Sequence, residues 1–186
     1  MILEKLIADI DEVTAEFIKY FSNLTEQQLN SRKQKDQWTI AQCFQHIIIL
    51  NESYVTLISA VREKRYKAGW NGKIGLLANY FGKNALQMAQ PGNQKKLKTA
   101  PQFQPNNINP IDDIVVNFIA HQQSLKQVIV SSQDLVSANT VIHSPVNKII
   151  VYKLSDVFRI MVAHEQRHLK QGKSALVMQY SEKFII

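Results

Sequence analysis

The feature that most constrains this chain is the helical spacing of its apolar residues. Leu3, Leu6, Ile10, Val13, Phe17 and Phe21 recur at intervals of three and four, so on a helix of 3.6 residues per turn they form one stripe. Glu4, Asp11, Glu12 and Lys19 fall mostly off it. The pattern returns in Ile40, Cys43, Ile47, Leu50, Tyr54, Leu57 and Val61, and in Ile111, Ile114, Val115, Phe118, Leu125 and Val128. It appears a fourth time in Val157 and Met161, continued by His164, His168 and Gln171. A helix with one apolar stripe must bury it against another element. The spacing therefore predicts an all-α protein, a four-helix bundle with long connecting loops, in one domain over residues 1–186.

Punctuation between the stripes refines the elements. The first helix ends near Asn23, and Thr25–Leu29 adds a short helical turn. Thr39-Ile40-Ala41-Gln42 has the spacing of a capping box, with Trp38 placed to staple onto Cys43. Gly69, Gly72, Gly75 and Gly82 imply a broken helix over 73–89, ended by Pro91-Gly92. Residues 91–110 hold Pro91, Pro101, Pro105 and Pro110 and read as a long loop, a lid or packed crossover. Pro110 suits the first position of a third helix over 110–131. Residues 132–154 read as a connection in which Val141–His143 and Ile149–Tyr152 pair briefly as strands, with His143 exposed. Ser155 is the expected cap of the last helix, which either ends at Gly172 or continues to about residue 178.

Composition narrows the class. One cysteine excludes an internal disulfide. No apolar run reaches the ~18 residues that span a bilayer, and the acids inside the first apolar stretch are unlike a signal peptide. The expected location is the cytoplasm. The net charge of +7 is concentrated in residues 62–98, where nine basic side chains meet a single acid, Glu63. Such a stretch can meet nucleic acid, but no arginine-rich block or nucleic-acid module accompanies it, so that function ranks last.

The histidines carry the chemistry. His164 and His168 are four apart on the last helix and share one face. His46 lies on the inward stripe of the second helix. Two imidazoles from one helix and one from another make three neutral nitrogen ligands, the number found where a metal keeps a position open for chemistry. These donors suit zinc, nickel, copper or iron(II) better than calcium or magnesium. The same residues also spell His164-Glu165-Gln166-Arg167-His168, the H-E-x-x-H spacing of zinc metalloproteases. That reading lacks support downstream, since position 171 is Gln and no later histidine follows.

Trp38-Thr39-Ile40-Ala41-Gln42-Cys43-Phe44-Gln45-His46 and His164-x-x-Arg167-His168-x-x-Gln171 together resemble the DinB-like superfamily, metal-binding four-helix bundles that include thiol-dependent S-transferases and maleylpyruvate isomerase. The Lys98-Thr99-Ala100-Pro101 loop and the helix order are also similar, so the resemblance covers nearly the whole chain. It implies His46, His164 and His168 as metal ligands. Gln42 stands where such sequences often carry Glu, which weighs against acid–base chemistry at that position.

Several residues are secondary candidates for the pocket or the ligands' supports: Gln42, Cys43, His121 and Gln171. The expected function is that of a metal-dependent enzyme, with zinc or nickel foremost. It would activate a low-molecular-weight thiol as an S-transferase, or water as a hydrolase, on a small-molecule substrate. The alternative is a non-catalytic metal-stabilised bundle, ligand-binding or stress-induced. Off-stripe Ile7, Ile18 and Ile119 suggest a homodimer contact. No membrane partner is expected.

Overall fold

The computed structural model describes residues 2–32, 34, 37–67, 75–93, 95 and 98–180. Helix dominates them. In chain order they form α1 (Ile2–Phe21), α2 (Glu26–Leu29), α3 (Ile40–Arg62), α4 (Gly75–Ala89), a 3-10 turn (Pro101–Phe103), α5 (Ile114–Ser131), α6 (Gln133–Ser137), strands β1 (Val141–His143) and β2 (Val151–Lys153), and α7 (Leu154–Tyr180). The stripes are the contacts. α1 and α3 each pack against both α5 and α7, and α4 lies across α7 and β2.

The core has two halves. In one, Phe17 of α1 meets Phe44 of α3 and Phe118 of α5 with both ring centroids at 4.4 Å, and Phe21, Ile40, Ile47 and Leu169 close around them. In the other, Ile10, Tyr54, Leu125, Val157, Phe158 and Met161 pack with Ile142 and Tyr152 of the strand pair. α7 contributes to both halves, Leu154–Ala163 to the second and Leu169 to the first. Its internal Gly172 is buried, and a Cβ built there meets Phe21 Cζ at 3.1 Å and Phe44 Cε2 at 3.2 Å. The glycine therefore permits a close approach and does not end the helix, which continues to Tyr180.

Other boundaries differ from the sequence reading for identifiable reasons. The third long helix begins at Ile114, not 110, because residues before it are held by other parts of the chain. Asn30 of the turn after α2 accepts from the Ile111 amide at 2.8 Å and donates to its carbonyl at 3.0 Å. Asp113 then takes a left-handed φ of 56°. α7 starts at Leu154, one residue before the expected Ser155 cap. Within residues 132–154 the expected strand pair forms, with β2 at Val151–Lys153 and Ile142 opposite Tyr152, and α6 is the addition. His143 is half-buried in β1, its ring stacked on Tyr66 with centroids 5.4 Å apart, and so is not an exposed loop residue. The segment read as a broken helix is α4; the glycines at 69 and 72 and its expected start at 73 lie outside the described residues. Ile18 is exposed, whereas Ile7 and Ile119 are half-buried. No described helix is long and apolar enough to cross a membrane.

Candidate metal centre

The site is assembled at the start of α3. Both reciprocal hydrogen bonds of the capping box form, Gln42 N–H to Thr39 Oγ1 at 3.1 Å and Thr39 N–H to Gln42 Oε1 at 3.0 Å. They satisfy donors that a helix end otherwise leaves unpaired. The Gln42 amide nitrogen then donates to the Asn106 carbonyl and to Asn107 Oδ1, both at 2.9 Å. The Asn106 amide donates to Gln45 Oε1 at 2.6 Å. These contacts lay the loop after the 3-10 turn along the first two turns of α3. They bring the Phe103 carbonyl within 2.6 Å of His46 Nδ1. With Nδ1–H donating there, His46 is the tautomer whose Nε2 lone pair is free.

α7 supplies the other two rings. His164 and His168 occupy successive turns, with ring centroids 4.5 Å apart and Nε2 atoms 3.0 Å apart. The His46 ring lies 5.1 Å from His164 and 5.0 Å from His168. One ring nitrogen from each of the three falls within 4.8 Å of the others. A satisfied core histidine has a carbonyl or hydroxyl partner. His46 has one, but the buried Nδ1 atoms of His164 and His168 have none, and the Nε2 atoms of that pair face each other. Two imidazoles with buried unpartnered Nδ1 atoms, turned toward a third ring, are poor packing. The donor set fits one shared cation, which the lone pairs of three neutral rings bind without mutual repulsion.

Burial keeps these rings neutral. It depresses the His46 pKa, an effect that the Phe103 carbonyl partly offsets. It pushes His164 down to about 3, helped by the repulsion a protonated His46 would exert and by the charge of Arg167. His168 falls well below the ordinary value through burial, the repulsion protonated His164 and His46 would exert and the charge of Arg167, opposed by a hydrogen bond from the Gln171 side chain. The lone pairs are thus available at neutral pH.

The secondary candidates divide. Gln42 is buried and fully engaged in cap and loop. Cys43 is buried in the aromatic half of the core, and burial pushes its thiol up to about 12, so it behaves as a small apolar residue. His121 lies outside the cluster, with Nδ1 3.0 Å from Glu52 Oε1 and Nε2 3.2 Å from the Asn51 amide. Gln171 is exposed on the turn after His168, with its side chain acting on that ring through a hydrogen bond. Arg167 donates to the carbonyls of Met88 at 2.6 Å and Lys95 at 2.8 Å, tying the end of α4 to α7. Glu165, the glutamate of the H-E-x-x-H spacing, is fully buried and engaged by Asn51 and Gln122. It is absent from the histidine cluster, so the metalloprotease arrangement does not form. In the basic stretch, Arg62 pairs with Asp134 at 2.8 Å and Arg65 with Glu63, while Lys73 and Lys96 lie outside the described residues.

Some participants escaped the sequence reading. Trp38, expected against Cys43, also walls the site. Its ring is 4.9 Å from that of His46 and stacked at 6.0 Å and 21° on His168. The Phe103 carbonyl is a backbone atom, and no residue type signals it. Asn51, spaced four after Ile47 and three before Tyr54, and Gln122, four after Phe118 and three before Leu125, were the available clues to the buried amide network.

Nothing among curated proteins or solved structures matches the chain in the comparisons made. The profile of one family, described as the DinB superfamily, matches residues 9–171, a span that includes all three histidines. A match over most of the length, with the helical fold it accompanies, places this chain in the DinB superfamily.

Proposed function

We propose that His46, His164 and His168 hold one divalent transition metal, zinc or nickel by the chemistry of the donors, and that the protein is an enzyme built on it. The observation that carries this reading is the convergence of three ring nitrogens within 4.8 Å, with two of the rings lacking any other polar partner at Nδ1. Such a metal lowers the pKa of a small thiol or of water and so supplies a nucleophile at neutral pH. The chain's own contributions are orientation and exclusion of water. The Phe103 carbonyl fixes the His46 tautomer, Trp38 covers one side, and Arg167 places a positive charge beside the histidines.

Thiol activation is the favoured chemistry. A thiol has an ordinary pKa near ~8.5 and needs little more than a cation to ionise. Water activation commonly enlists a carboxylate as well. Among the described residues no carboxylate joins the cluster, and Glu165 is turned away into the core. The same observation supports a second reading, a metal-stabilised bundle that binds a ligand without turning it over.

The test is metal binding followed by turnover. Purified protein should take up one equivalent of zinc, nickel or cobalt(II), and His46→Ala, His164→Ala or His168→Ala should each weaken binding at least ~100-fold, while His143→Ala leaves it unchanged. Metal-dependent conjugation of a small thiol to an electrophile, lost in His164→Ala, favours the transferase; ester or amide hydrolysis favours the hydrolase. Tight binding with neither activity favours the ligand-binding bundle, and no metal uptake by the unaltered protein refutes the reading.

A further inference from the structure

Glu165 lies between two of the histidines in sequence but takes no part in their cluster. Its side chain is completely buried. Oε1 accepts from Asn51 Nδ2 of α3 at 2.7 Å, and Oε2 accepts from Gln122 Nε2 of α5 at 2.9 Å. The Asn51 amide is itself held: its nitrogen also lies 3.2 Å from His121 Nε2, and His121 Nδ1 lies 3.0 Å from Glu52 Oε1. Aiming both amide nitrogens at one carboxylate leaves Asn51 Oδ1 and Gln122 Oε1 buried without partners. Buried polar groups left in that condition call for a reason, because an apolar cluster of similar volume is often the more stable packing.

We propose that Glu165 is a positioning residue whose two hydrogen bonds fix the rotation of α7 about its own axis, so that His164 and His168 face His46. Side-chain ends lie roughly 5–6 Å from a helix axis, so a 20° rotation would carry them about 2 Å. Metal ligation tolerates deviations of about 0.2 Å. The aromatic contact at Gly172 holds α7 eight residues beyond His164, whereas the carboxylate gripped from two different helices fixes its rotation beside the histidines themselves. One of those helices, α3, also carries His46, and the Asn51–Glu165 bond sits five residues further along it. The first ligand and the rotational stop are thus parts of the same rigid element.

This inference rests on the metal-site reading for its purpose, but its geometry is testable without metal. Nuclear Overhauser contacts between the ring protons of His46 and those of His164 and His168, whose centroids are 5.1 Å and 5.0 Å away, report the rotation in metal-free protein. Cobalt(II) titration with its visible spectrum reports the loaded site. Glu165→Gln should keep both readouts, with cobalt affinity within about threefold, because one amide can turn its unpartnered oxygen to the new NH2. Glu165→Leu should lose the ring contacts and weaken cobalt at least tenfold. A triple replacement of Glu165, Asn51 and Gln122 by leucine guards against simple misfolding: it should melt at or above the parent temperature yet still bind cobalt at least tenfold more weakly. A leucine variant with parental ring contacts and cobalt spectrum would overturn the proposal, as would Glu165→Gln losing as much as Glu165→Leu. If the parent shows the ring contacts but takes up no cobalt, the metal reading falls, and loss or retention of those contacts in the variants still decides the positioning role.

Discussion

Replacing Gly172 by alanine sets two effects of similar size against each other. In a helix interior, alanine is favoured over glycine by about 1 kcal/mol. Gly172 lies within α7, eight residues from its end, so that gain is available. The opposing effect is steric. The new methyl would stand 3.1 Å from Phe21 Cζ, 3.2 Å from Phe44 Cε2 and 3.6 Å from Phe44 Cζ. Carbon atoms prefer about 3.5–4.0 Å, so the rings or the helix must move by several tenths of an ångström. Neither ring has room. Both are fully buried, with centroids 5.3 Å apart, and Phe17 presses on both at 5.4 and 4.4 Å. Overpacking a filled core costs about 1–3 kcal/mol, so the expected net result is a loss of about 1 kcal/mol. For a chain of this size that lowers the melting temperature by roughly 2–4 °C. Urea denaturation of the metal-free protein measures it. An alanine at position 172 that raises stability would refute the argument, because it would show that α7 has slack against the aromatic cluster.

Acid should destabilise the metal-free protein. Burial lowers the pKa values of His46, His121, His164 and His168 from their ordinary 6.5. The unfolded chain therefore binds more protons, and stability falls as pH drops through about 6.5. Glu165 acts oppositely: its carboxyl, raised to about 7 from 4.5 chiefly by burial, contributes stability that is present at low pH and lost as pH rises through 7. Four rings outweigh one carboxyl, so denaturation midpoints in chelator should fall between pH 7 and 5.5, and a flat or rising profile would contradict the assignment. Cys43, with its buried thiol pushed up to about 12, should resist iodoacetamide in the native protein and react on unfolding; rapid native labelling would count against its placement. Gln42→Ala removes half a capping box and two loop contacts, and should cost about 1–3 kcal/mol. Chemical denaturation would expose the error if the change proved neutral.

Sequence alone determined the inward stripe of α1 and the approximate inward faces of α3 and α5. The 3.6-residue period is a local property, so these faces, the capping box at Thr39 and the shared face of His164 and His168 were legible before any fold was known. By contrast, buried Phe44, Asn51, Ile58, Gln122 and Ile129 fall beside the expected stripes, Leu50, Leu57 and Val61 are only half-buried, and Gln171 is exposed. The same locality explains the failures. The third long helix starts late because Asn30, 81 positions away, takes the backbone groups of Ile111. Of the two ends the sequence left open for α7, packing accounts for the longer: Gly172 stands inside the helix where two phenylalanines from other helices leave no room for a side chain. His121 and His46 sit on comparable inward stripes, and no period distinguishes a ring held by Asn51 and Glu52 from one turned toward two other histidines. Glu165 has the spacing of a metalloprotease base, yet it was tertiary packing that gave its oxygens to Asn51 and Gln122, 114 and 43 positions away. Periodicity says that a side chain points into the interior. What it meets there depends on how separate helices rotate and approach, and only the folded chain settles that.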